Sequence, residues 1–114
     1  MCMSEDKKTL KIKEQIAEIL VETNGVEGVY TLATTFASKA PRLLKSDNYS
    51  AGVGIEWSTP TSAIVTISIQ ASSSASVTVL YSFLNNSLNE VFSKIPRANL
   101  KELLLDIIEI KGEL

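Results

Sequence analysis

The sequence predicts an α+β domain, because helical and strand patterns of apolar residues alternate along one short chain. Residues 9 to 23 carry apolar side chains at helical spacing, whereas residues 53 to 70 alternate apolar and polar side chains with the period of two typical of strands. A second helical stripe follows at residues 77 to 92. A chain of 114 residues is long enough for one hydrophobic core. We therefore expect a single domain over residues 9 to 111, with residues 1 to 8 as a flexible N-terminus.

The first helix and the segment after it are predicted from residue types. The apolar residues of this helix share one face: Ile12, Ile16, Ile19 and Leu20. Asn24 and Gly25 follow, and these residue types most easily take the left-handed conformation that closes a helix. Residues 26 to 32 are apolar and rich in strand formers, and they predict a short extra strand. Residues 34 to 50 indicate a loop with room for one helical turn around residues 42 to 45.

Two alternating runs then predict an antiparallel hairpin. Their apolar residues are Val53, Ile55 and Trp57 in the first run and Val65, Ile67 and Ile69 in the second. Between them, residues 58 to 61 form the sequence Ser-Thr-Pro-Thr, which is typical of a turn. We therefore expect the two runs to pair in one sheet.

The second helix has the clearest periodicity of the chain. Any of Ser72, Ser73 and Ser74 could cap its N-terminus by accepting a hydrogen bond from a backbone N–H group. Seven apolar residues form one stripe: Val77, Leu80, Tyr81, Leu84, Leu88, Val91 and Phe92. Pro96 predicts the end of the helix. We expect the stripe to lie on the sheet.

The segment from residue 100 to residue 110 fits two structures. Leu100, Leu103, Leu104, Ile107 and Ile108 have helical spacing, and the same segment also fits a strand that is buried on both faces. Periodicity alone slightly favours the helix.

The order of these segments resembles the alkaline shock protein family, small proteins of Gram-positive bacteria and their relatives linked to cell-envelope stress. The matching phrases are KIKEQIAEIL running into NGVEGVYTL, then AGVGIEW, AIVTISIQ, the long helix and LLLDIIEI, over about residues 10 to 111. The resemblance implies that the final segment is a strand in the sheet of the hairpin. The expected architecture is then a two-layer α-β-β-α-β fold, in which two helices cover a small, mainly antiparallel sheet.

The composition excludes several kinds of catalytic and metal site. Cys2 is the one cysteine and the chain has no histidine, which excludes His-dependent triads and metal sites built on imidazole or paired thiolates. We expect no catalytic residues, no metal and no cofactor, and the resemblance likewise implies no enzymatic activity. The net charge of −2 also argues against binding nucleic acid through its phosphates.

A nucleic-acid-binding alternative starts from Gly25-Val26-Glu27-Gly28. This run has the GxxG spacing with which KH domains clamp a nucleic-acid backbone, so a KH-like module is the second hypothesis. Glu27 would repel phosphate, however, and strand-forming residues follow. A helix end with a tight turn explains the four residues better.

The polar side of the second helix is the main candidate for an interface. Ser82, Asn85, Asn86 and Asn89 lie at helical spacing with almost no charge around them, whereas an exposed helix face normally carries Lys and Glu. Depletion of charge is a property of the buried part of protein interfaces. This face is therefore predicted to contact a protein partner or a second copy of the chain. An Asn-rich composition without function explains it equally well.

Three basic residues form a second candidate surface. Lys39, Arg42 and Lys45 could contact an acidic partner or an anionic membrane surface, although a solvated loop is the simpler interpretation. The charged N-terminal residues lack the apolar core of a signal peptide. We expect a cytoplasmic protein, or one peripheral to the membrane. The resemblance implies a scaffold that binds proteins or itself and reaches a membrane only indirectly, through a separate anchor protein.

Overall fold

Two α-helices and four β-strands make up the part of the chain that the computed structural model describes, residues 3 to 31 and 42 to 111. The elements are α1 (Met3–Glu22), β1 (Val26–Val29), β2 (Val53–Thr59), β3 (Ser62–Ser72), α2 (Val77–Ser93) and β4 (Asn99–Lys111). A 3₁₀ helix (Ser46–Gly52) precedes β2. This content confirms the predicted α+β class, including the short extra strand after the first helix.

Strand β3 lies at the centre of the sheet. Its first half pairs with β2 in the predicted antiparallel hairpin, and its last residues pair with β1, also antiparallel. The two shorter strands therefore lie end to end along one edge of β3. Strand β4 runs along the other edge, from the pair Ser62 and Asn99 to the pair Ser72 and Lys111.

The final segment is a strand, so the helix that its periodicity favoured is wrong. It pairs with β3 over the whole length of that strand, and these backbone hydrogen bonds outweigh a weak helical pattern. The pairing is parallel, because α2 carries the chain back across the sheet before β4 begins. The sheet is thus mixed: two pairings are antiparallel, as expected, and the most extensive one is parallel.

Both helices pack on one face of the sheet, which buries alternate residues of β3. These residues are Ala63, Val65, Ile67, Ile69 and Ala71. From the helices, Ile12, Ile16, Leu20, Leu80, Leu84, Leu88 and Phe92 complete the core. On the opposite face of the sheet, Glu56, Thr66 and Leu104 are exposed or half-buried, whereas Ser68 and Gln70 at the far end of β3 are buried. We refer to this face below as the open face.

Helix α1 begins at Met3, six residues earlier than the sequence predicted. Residues 3 to 8 are therefore helical, where a flexible terminus was expected. Lys8 and Thr9 bind groups of the sheet and its loops, which holds this end of the helix in place.

The connections around β1 differ in part from prediction. Gly25 has a φ of 104°, the positive value expected where a helix closes. The turn predicted around residues 42 to 45 is absent, because this segment is extended: the N–H of Leu44 donates to the carbonyl of Val29, and that of Thr31 to the carbonyl of Arg42. The helical turn lies later, in the 3₁₀ helix.

The N-cap of α2 is Ser76 rather than one of the three preceding serines. Its hydroxyl accepts a hydrogen bond from the N–H of Val79, at 3.4 Å. Ser72 and Ser74 instead bond to each other within the turn after β3. Four residues separate the end of β3 from the start of α2. The N-cap is therefore Ser76, the last of these four residues.

Candidate interaction surface on the second helix

Helix α2 presents one face to the core and one to solvent. Five residues of the predicted stripe are buried: Leu80, Leu84, Leu88, Val91 and Phe92. The other two, Val77 and Tyr81, are exposed, and this part of the prediction is wrong. Tyr81 still contacts the sheet, because its hydroxyl donates to the carbonyl of Leu103 in β4 at 3.0 Å.

The four residues predicted as an interface do share the outer side of α2. Ser82, Asn86 and Asn89 are exposed, and Asn85 is half-buried. The side-chain amide of Asn89 donates to the carbonyl of Asn85 at 2.9 Å, one turn earlier in the helix. The Asn89 side chain therefore lies along its own helix.

Two large apolar residues lie on the same side, and sequence analysis missed both. Val79 and Phe83 keep 66% and 52% of their surface exposed. Each precedes a buried leucine by one residue, which on an α-helix is a rotation of about 100° away from the core. Both residues lie outside the predicted apolar stripe, and this position could have identified them as exposed. They were overlooked because the stripe of seven residues already accounted for the core side of the helix.

The outer side of α2 carries little charge. From Val77 to Ser93 the one charged residue is Glu90. A shallow pocket of about 490 Å³ opens beside Val79 and Phe83, where the end of α1 meets the start of α2. Its lining combines apolar residues, among them Ala75 and Leu80, with polar ones and the charged Glu22 at the end of α1. We call Val79, Ser82, Phe83, Asn86 and Asn89 the outer α2 surface.

Comparison with known proteins gives no match: no family model, no curated protein and no solved structure matches this chain. The function has to be argued from the surface itself.

Two of the three residues of the predicted basic surface lie in the described part of the chain. Arg42 and Lys45 are exposed, and Lys39 lies outside the described residues. The main chain of Arg42 is engaged by Thr31, whose hydroxyl accepts from its N–H at 3.0 Å. Contact of these residues with an acidic partner or a membrane stays a prediction. None of the described helices is long and apolar enough to span a membrane.

The GxxG run does not form a loop between two helices. Gly25 ends α1, while Gly28 lies within β1 and packs against Leu43 and Gln70. A Cβ atom at position 28 would come within 2.7 Å of the Leu43 side chain, so the glycine here allows close packing. The run has the helix end and turn that the simpler interpretation expected.

Acidic groups are scattered over the described part of the chain. No three of its His, Cys, Asp or Glu side chains come together in a way that could hold a metal ion. Trp57, the one tryptophan, is half-buried, and its indole N–H donates to the hydroxyl of Thr9 at 2.8 Å. It serves the contact between α1 and the sheet.

Proposed function

We propose that this chain is a non-enzymatic protein that acts by self-association, and that the outer α2 surface is its contact with a second copy. The observation that supports the proposal is the exposure of Val79 and Phe83 in the middle of an almost uncharged helix face. Exposed apolar side chains framed by neutral polar groups are typical of surfaces that become buried in a complex.

The energy available from this surface is modest. Burying the exposed half of a valine or phenylalanine side chain contributes about 1 to 2 kcal/mol. Four such side chains in a symmetric dimer contribute roughly 4 to 8 kcal/mol, against an association cost of at least about 4 kcal/mol. We therefore expect a weak dimer whose population depends on protein concentration.

The positions of the charges favour an antiparallel arrangement of the two helices. A two-fold axis at Phe83 places residue 90 of one copy opposite residue 76 of the other, because the two are equally far from the axis. Glu90 then lies beside the partner's Ser76, the N-cap of α2, where the helix dipole favours negative charge. A parallel arrangement would place the two Glu90 side chains together.

The wider role follows from the resemblance to the alkaline shock proteins. It is that of a scaffold or stress-associated protein of the cytoplasm that binds proteins or itself and reaches the cell envelope through a separate anchor. Self-association is the part of this role that the surface of the chain supports, since Val79 and Phe83 offer an apolar contact.

The test is the solution mass, measured by light scattering over a range of protein concentrations. The wild-type chain should shift toward a dimer as concentration rises, and Phe83→Glu should stay monomeric, because a carboxylate would be buried at the centre of the contact. Leu10→Glu is the matched control: Leu10 lies on α1, is 54% exposed and receives the same charge. It should associate like the wild type.

A wild-type chain whose mean mass does not rise up to about 1 mM, the dissociation constant that a net gain of about 4 kcal/mol gives, would contradict the proposal. So would association of Phe83→Glu equal to that of the wild type. Salt-sensitive retention of RNA by the monomer would instead favour the KH-like alternative.

A further inference from the structure

Strand β4 leaves one of its edges without a neighbouring strand. Within residues 3 to 31 and 42 to 111, β4 pairs with β3 alone, although it is the longest strand at 13 residues. The register is irregular between Ala63 and Ile64 and again between Ile69 and Gln70 of β3. Between these points, residues 102 to 107 of β4 form a regular ladder, which is about 20 Å long. No described strand pairs with its outer backbone groups, although the carbonyl of Leu103 within it accepts a hydrogen bond from the Tyr81 hydroxyl.

The side of this edge that faces the helices is apolar. Tyr81 of α2 reaches β4, and its hydroxyl donates to the carbonyl of Leu103 at 3.0 Å. Helix α2 runs opposite to β4, so Val77, one turn earlier and about 6 Å away, lies near the level of Leu105. Both α2 residues are exposed. A segment added to the free edge of β4 would therefore meet apolar side chains of α2 on its helix side.

The open face of the same edge is acidic. Glu102, Leu104 and Asp106 alternate along it, and the register places them beside Ile64, Thr66 and Ser68 of β3. All three β4 residues are exposed. No basic residue lies in β2 or in β3, the described strand that pairs with β4. Glu56 adds a third carboxylate in the row of Ile64 and Glu102.

From these contacts we infer that the free edge of β4 binds an extended peptide segment of a partner protein by strand addition. The segment has about six residues, matching the regular ladder, and its side chains alternate. Those directed toward α2 are apolar and contact Val77 and Tyr81. Those directed toward the open face are Lys or Arg and lie beside Glu102 and Asp106. The inference is independent of self-association through the outer α2 surface.

A second copy of β4 fits this edge less well. Antiparallel pairing about Leu104 sets Glu102 opposite the partner's Asp106 in both halves of the ladder. Pairing about Leu105 sets Leu104 opposite Asp106. Like charges directly opposite each other destabilise a strand pair, and a carboxylate opposite leucine gains nothing. A segment with Lys or Arg at these positions avoids both the pairs of like charges and the pairs of carboxylate and leucine.

The experiment measures fluorescence anisotropy of a labelled, end-capped peptide, KVKVKVK, against the Phe83→Glu protein, so that dimer formation does not interfere. The control peptide KKVVVKK has the same composition without the alternation. The test variant carries Glu102→Lys and Asp106→Lys together. The matched control carries Glu14→Lys and Glu18→Lys, which change the net charge equally at exposed positions of α1.

We expect the alternating peptide to bind and the control peptide to bind at least about tenfold more weakly, since only the former can place charge and apolar side chains on opposite sides of a strand. The β4 double variant should lose about tenfold or more in affinity, and the α1 double variant about twofold at most. The amide resonances of residues 102 to 107 should shift most on binding.

Three results of the peptide experiment would overturn the inference. They are equal binding of the two peptides, equal loss in the two double variants, and the absence of binding at millimolar peptide. Concentration-dependent shifts of the β4 amides in the protein alone would show that the edge pairs with its own copy, and would overturn it as well.

Discussion

Lys8 joins three parts of the chain that are distant in sequence. Its ammonium group donates to the carbonyls of Arg97 at 3.0 Å and Pro60 at 3.4 Å, and it lies 4.3 Å from the centre of the Trp57 ring. One side chain thus connects the start of α1, the hairpin turn and the turn before β4. A lysine near the N-terminus of a helix opposes the helix dipole, and these three contacts offset that cost.

Replacing Lys8 by Met tests this connection, because methionine keeps much of the apolar stem and removes the charge. We expect a loss of about 1 kcal/mol in the free energy of unfolding, measured with urea. The emission of Trp57 should also change, since the cation leaves its ring. Lys7→Met, at an exposed neighbouring position, should change neither the stability nor the emission of Trp57. An equal loss of stability in Lys7→Met would indicate that helix propensity, and not the contacts of Lys8, causes the loss.

Gly52 and Gly28 both lack room for a side chain, yet the two sites differ in what surrounds them. A Cβ atom at Gly52 would lie 2.5 Å from the main-chain carbonyl oxygen of Tyr30, which cannot move alone. At Gly28 the obstacle is the tip of the exposed Leu43 side chain. We expect Gly52→Ala to destabilise by about 2 to 3 kcal/mol and Gly28→Ala by under about 1 kcal/mol in thermal unfolding. The reverse order would mean that the β1 segment is the more rigid one.

Among the elements, α2 shows which features a sequence can predict. Its existence, its end before Pro96 and its five buried residues follow from periodicity, which depends only on neighbours in the chain. The exposure of Val77 and Tyr81 depends on how α2 lies on the sheet, and that is decided by contacts between segments distant in the chain. Strand β4 itself has apolar residues compatible with both periods, so β3 has to be known before its structure can be assigned.

Replacing Leu84 by Ala should cost about 2 to 5 kcal/mol, because the side chain is fully buried between α2 and the sheet. The same truncation at Val77 should cost under about 0.5 kcal/mol, since half of that side chain is already exposed and alanine favours the helix. Urea unfolding of both variants measures the difference. Comparable losses of stability in the two variants would indicate that Val77 packs in the core.

The outer α2 surface could be predicted only in part, because part of it depends on the packing of distant segments. Four neutral polar residues at helical spacing identified the correct side of α2, since charge depletion is visible in the sequence. The apolar pair Val79 and Phe83 was not identified, because an apolar residue on a helix is assigned to the core by default. Only the position of the core beneath α2 shows that this pair points away from it.

At the scale of the whole molecule, a single layer of helices on one face of the sheet leaves two different surfaces. The outer α2 surface is nearly uncharged, whereas the open face and the β4 edge carry Glu56, Glu102 and Asp106. Association through the first depends on apolar burial. Binding at the second depends also on ion pairs, so the two should differ in their response to salt.

Salt therefore separates the two activities. Between roughly 50 and 500 mM NaCl, the dimer dissociation constant should change by about twofold or less, because the contact contains few charges. Over the same range the affinity for the alternating peptide should fall by about tenfold. Light scattering and peptide anisotropy give the two constants. Equal salt dependence of both would indicate that ions act on the fold and not on either surface.

The central position of β3 also determines how backbone amides exchange with deuterium. Strand β3 has neighbours along both edges, so consecutive amides are hydrogen-bonded and protected. In β4, alternate amides point toward β3 and the others point outward, which predicts an alternation of slow and fast exchange along one strand. A segment bound to the edge would protect the fast set. The exchange rates of the outward-pointing β4 amides therefore show whether a strand is bound at the free edge.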